Sequence, residues 1–232
     1  MELPFTHRPG RRERHLRRRH GNPLFAWPLE EIPPETLLAA QKADHEEMEA
    51  FQRDFRQLVQ QAIDLPPSAS SDTVLSLKEA LERCYEQSFG LPEDQEPARE
   101  ALAKLIELIT QAVQRAAGAD PLAQRELAAE RTARAIHFRL LRQPLVADLL
   151  HPESPIQKEE LAPSVLCARP SEVDALLEIL DPPQIAALIQ QGRALLEQRA
   201  AQGLQLPEAQ ARLTQLEQAL IRIRDQSDNP AS

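Results

Sequence analysis

Twenty prolines divide this chain into segments whose apolar residues recur at three- and four-residue steps, a combination that fits a series of separate amphipathic helices. Proline lacks the backbone donor and restricts the residue before it, so helices start just after such positions or stop just before them. The residues between the prolines agree with this reading. Ala, Leu, Gln, Glu and Arg dominate, and they lose little on entering a helix, whereas only Phe 6, Trp 1 and Tyr 1 supply aromatic rings. Strand-forming material is scarce. The chain is therefore expected to be all-α: a bundle of about four helices, then a smaller C-terminal helical hairpin region, with an extended Arg/Pro-rich N-terminal arm.

The spacing sets the expected boundaries. The first long helix runs from Glu35 to Ile63, with Leu37, Leu38, Met48, Phe51, Phe55, Leu58, Val59, Ala62 and Ile63 on one stripe. A second starts near Thr73 under an Asp72 cap and stops at Gly90. A third runs from Pro97 to Ala117, and its wide face of Leu102, Leu105, Ile106, Leu108, Ile109, Ala112 and Val113 predicts the most buried helix. Asp120-Pro121 starts a fourth helix that continues to Arg142, because aspartate caps well and proline suits the first helical position. Leu145–Leu150 adds a turn or two. Ser171 caps a short helix to Leu180, and Asp181-Pro182 starts another that Gly203 stops. In the last helix Ala209, Leu213, Leu216, Leu220 and Ile223 step by four and three, the seam of a coiled coil or helical hairpin.

Charge is divided unevenly along the chain. Residues 1–20 hold seven Arg against Glu2 and Glu13, a surplus of five; the whole chain is −9, so the remainder is −14. Prolines at 4, 9, 23, 28, 33 and 34 exclude a long helix from this front segment, though Arg11–His20 can form a short one. Guanidiniums bind oxyanions as a fork, so Arg8, Arg11, Arg12, Arg14, Arg17, Arg18 and Arg19 are candidate partner-binding residues. Phe25 and Trp27 join them, because large rings anchor interfaces. The competing reading is that this arm folds back on the chain's own acidic body. Its removal is expected to leave helicity largely intact while abolishing partner binding.

Other chemistry has less support. The two cysteines, Cys84 and Cys167, lie far apart without CxxC or a nearby His pair, so neither a disulfide framework nor a zinc site is indicated. No Gly-x-Ser-x-Gly elbow or glycine-rich phosphate loop is present. One constellation could hold a metal: His45 and Glu49 on the first long helix with Glu130 and His137 on the fourth. The Glu-x-x-His pairs of di-iron bundles are missing, since Lys42 and Arg134 occupy the positions three before each histidine. No cofactor is expected. No apolar run approaches the ~20 residues of a membrane span, and no secretory signal stands at the front, so a cytoplasmic location is expected. Arg outnumbers Lys 23 to 4, which points to a GC-rich bacterial genome.

The expected organisation is an arm (1–34), a helical bundle (35–150), a linker (151–170), a C-terminal hairpin region (171–227) and a tail (228–232). The expected function is a non-catalytic adaptor, assembly factor or regulator that binds a macromolecule through its arm and helical faces. A protein partner is favoured. The alternatives are a nucleic-acid-associated regulator, using the arginines, and a metal-dependent helical-bundle enzyme. The C-terminal helices could also pair two copies into a homodimer.

Overall fold

The computed structural model describes residues 9–25, 29–66, 68–92, 95–116 and 121–228. Every regular element among them is helical: α1 (Arg11–Arg19), α2 (Pro34–Ile63), α3 (Ser71–Gln87), α4 (Glu96–Ala116), α5 (Pro121–Leu141), α6 (Pro144–Leu150), α7 (Leu161–Leu166), α8 (Pro170–Leu177), α9 (Pro182–Ala201) and α10 (Pro207–Asp228). A 3₁₀ turn, Lys158–Glu160, precedes α7. The protein is all-α. Among the described residues two compact units form, one from residues 9–13 and 38–142, the other from residues 14–37 and 143–228. The division between these units falls after Arg142, and the front segment contributes to both.

The first unit is built on the faces that the sequence spacing picks out. Met48 and Phe51 of α2, Leu77, Leu81, Cys84 and Tyr85 of α3, Leu91, and Leu102, Ile106 and Ile109 of α4 form one buried cluster. Each such leucine contributes about 1.5–3 kcal/mol relative to an exposed one. The predicted stripes overreach at their edges. Leu108 is 59% exposed on α4, and Leu38 and Ile63 are exposed near the two ends of α2. The cap of α3 is Ser70, whose Oγ accepts from the Thr73 amide at 3.2 Å, rather than Asp72, which lies in the first turn. Gly90 does not take a left-handed φ; its carbonyl accepts from the Arg11 amide at 3.1 Å.

Helix α5 is attached differently. Only Leu140 and Leu141, at its end, are buried. Elsewhere a ladder of ion pairs ties it to α3: Glu130 to Lys78, Arg134 to Glu82, and His137 to Glu86 at 3.0 Å. Phe138 adds one apolar rung, its ring centroid 4.2 Å from that of Tyr85.

In the second unit α9 and α10 form the predicted hairpin. A short loop joins them, Arg193 donates to Glu217 at 2.8 Å, and Ile185, Leu188 and Ile189 are buried with Ala209, Leu213, Leu216 and Leu220. The four-three seam is occupied within the chain, because α7, α8 and α9 all pack against α10. Asp181 caps α9 as expected: it accepts from the Gln184 amide at 2.7 Å, and Gln184 accepts from the Asp181 amide at 2.9 Å. Gly203, at φ +82°, closes that helix.

The stretch 151–170, expected to be a linker, carries α7, whose Ala162–Leu166 are all buried. Its prolines made it look irregular, yet Pro163 lies in the first turn of α7, where a missing donor costs nothing. Helix α8 begins at Pro170, and its start is satisfied by Glu172 rather than by Ser171. The Glu172 carboxylate accepts from the amides of Arg169 at 2.9 Å and Leu145 at 3.0 Å, tying the starts of α8 and α6 together.

Candidate functional site

The arginine-rich segment folds as α1, and most of its charges meet carboxylates of this chain. In the first unit, Asp44 of α2 accepts from the backbone amides of Arg12 at 3.3 Å and Glu13 at 3.2 Å, so a buried carboxylate stands at the start of α1. There it also offsets the partial positive charge of the helix end. Arg12 reaches Asp44 at 3.3 Å and Glu47 at 2.8 Å; Arg11, only 1% exposed, also pairs with Glu47. Glu13 is buried and accepts from Gln41 at 3.3 Å. Gly10 makes this approach possible, because a Cβ there would lie 2.4 Å from Asp44 Cγ.

In the second unit, Asp148 of α6 is fully buried, with Arg14 at 2.6 Å and Arg18 at 4.0 Å. Glu160 receives His15 Nε2 at 3.0 Å and Arg19 at 3.3 Å. The Phe25 ring meets the His15 imidazole edge-on, with centroids 6.3 Å apart. His15 Nδ1 is buried with no hydrogen-bond partner among the described residues. Burial holds the imidazole below its ordinary proton affinity; Glu160 opposes that shift, and Arg18 and Arg19 reinforce it.

The predicted partner-binding residues are therefore placed as follows. Arg11, Arg12, Arg14, Arg18 and Arg19 pair with the chain's own acids, and Arg17 is exposed. Phe25 is 1% exposed and packs inside the second unit, where Arg199 donates to its carbonyl at 3.0 Å. Arg8 and Trp27 lie outside the described residues.

The histidine–carboxylate quartet does not assemble. His45 and Glu49 face each other at 3.5 Å on the surface of α2, Glu130 belongs to Lys78, and His137 belongs to Glu86. Among the described residues no group of three or more His, Cys, Asp or Glu side chains converges as a metal cage. A local i,i+4 ion pair and the α3–α5 ladder take these side chains instead. Both thiols are pushed up by burial, Cys84 to about 12 with help from Asp54.

The sequence reading missed a groove between α2 and α3 in the first unit. It encloses about 870 Å³ between Gln57, Gln60, Gln61, Asp64, Leu65 and Pro66 on one side and Asp72, Thr73, Ser76, Leu77 and Ala80 on the other. A second hollow of about 250 Å³ shares Gln57, Gln61 and Ala80 and continues to Asp54, Leu58, Arg83 and Gln87. The two helices part here because glutamines and small residues, rather than large apolar ones, occupy their facing positions beyond the core. The run of Gln57, Gln60 and Gln61 opposite Ser76 and Ala80 was the available signal.

No helix among the described residues is long and apolar enough to cross a membrane. A comparison with family models, with curated proteins and with solved structures finds no match to this chain.

Proposed function

We propose that this protein is a non-catalytic helical adaptor or assembly factor, and that its partner is held on a helical face of the first unit. The observation that carries this reading is the open groove between α2 and α3, in which Leu65, Leu77 and Ala80 are the more buried lining residues and Gln57, Gln60 and Gln61 the exposed ones. A small-molecule site normally buries most of its ligand in a closed apolar pocket with a few convergent polar groups. An elongated trough with apolar floor and polar rim is instead the form that accepts a partner helix. On this reading the arginines of α1 serve the protein's own architecture, since their forks are taken by Asp44, Glu47, Asp148 and Glu160.

A photo-crosslinking amino acid at Ser76, on the groove, and another at Thr214, exposed on α10, test this in cells. A discrete protein adduct from Ser76 and none from Thr214 is the expected result. Equal labelling from both positions, or none from Ser76, would overturn the reading.

A further inference from the structure

We infer that the α2–α3 groove receives a basic amphipathic helix of a partner protein. This rests on the adaptor reading and specifies the chemistry of what the adaptor holds. The groove lining carries three carboxylates, Asp54, Asp64 and Asp72, and among the described residues none of them makes an ion pair. Arg83 is the basic residue of the described lining, and Glu79 already stands 3.9 Å from it. Arg53 and Arg56 belong to α2 but do not line the groove. The rim is therefore anionic, while the floor of Leu58, Leu65, Leu77 and Ala80 is apolar.

Length fits the same occupant. The α2 side of the lining runs along the helix from Asp54 to Gln61, about 10 Å at the rise of a helix, and Asp64, Leu65 and Pro66 continue it past the helix end, which seats two to three turns of a guest. Three turns place apolar residues at i, i+3 or i+4, and i+7 on the floor and leave flanking Lys or Arg against the rim. Gln60 donates to Asp64 at 2.8 Å, and Gln57 and Gln61 can donate to and accept from the guest's polar side chains. An acidic helix or a nucleic acid would meet like charge at Asp54, Asp64 and Asp72.

The test uses the full chain and two synthetic helical peptides of about fourteen residues, which as helices are ~21 Å long. Both carry leucines at helical spacing, one with lysines and the other with glutamates on the polar face. Binding is read by fluorescence anisotropy. The lysine peptide is expected to bind and the glutamate peptide not. The double variant D64N/D72N should weaken the lysine peptide about tenfold, as the loss of two exposed charge pairs implies. Ser76→Trp, which fills the groove from an exposed position, should abolish binding without changing helicity. Lysine-peptide binding that survives both variants, or equal binding of the glutamate peptide, would overturn the inference. If the lysine peptide fails to bind while Ser76 still crosslinks a discrete partner, the adaptor reading stands and the basic-helix assignment is wrong.

Discussion

Asp44 and Gly10 show how closely single residues constrain the front of this chain. The buried carboxylate accepts from two amides of α1 and from Arg12, and it can do so only because position 10 has no side chain. Gly10→Ala would place a methyl group 2.4 Å from Asp44 Cγ, and overpacking of this kind costs about 1–3 kcal/mol. A urea titration is expected to show that loss, and an unchanged midpoint would refute it. His15 contributes a pH dependence. Its folded-state proton affinity lies below the ordinary value of 6.5, so the unfolded chain binds the proton first. The stability it contributes is present above about pH 6.5 and is lost as pH falls below it. His15→Gln should flatten the decline in urea midpoint between neutral pH and pH 5, and a slope as steep as the parent's would refute the assignment. Glu172 acts in a lower window. Burial raises it, but its hydrogen bonds from Arg169 and Leu145 outweigh burial and hold it below the usual carboxylate range.

At the scale of elements, the two helical pairings differ in what holds them. The α9–α10 hairpin is apolar along its seam, whereas α5 leans on Lys78–Glu130, Arg134–Glu82 and His137–Glu86. Ions screen partly exposed charges over about 8 Å at physiological strength and over much less at 1 M. Raising salt to about 1 M should therefore speed amide exchange in α5 and leave α10 unchanged, and equal protection in both helices would contradict this account. The same contrast explains what could be read in advance. Periodic leucines, Asp181-Pro182 and Gly203 identified α9 and α10 because local chemistry decides them. The place of α7 was not legible, since Pro163 reads as a breaker until its position in the first turn is known. The groove was hidden for a related reason: glutamines on a helix look like solvent-facing filler, and only the separation of two helices turns them into a rim.

For the molecule as a whole, the uneven charge is largely compensated internally. The expectation that removing the front segment leaves helicity largely intact meets a structure in which Asp44 and Asp148, both buried, depend on arginines 12, 14 and 18. Stripping one partner from a buried pair costs about 3–5 kcal/mol, against a total stability of about 5–15 kcal/mol for a typical protein. A chain lacking residues 1–25 is thus expected to lose both helicity and thermal midpoint, as measured by circular dichroism. Retention of the parent midpoint would show that the pairs carry little weight. The docking of α1 has one further consequence. In the second unit a segment held by the Arg14–Asp148 and Arg19–Glu160 pairs and by the buried Phe25 ring need not be covalently continuous with its seat, so the shortened chain and a free peptide covering residues 9–25 should reassociate as complementing fragments, with saturable dependence on peptide concentration.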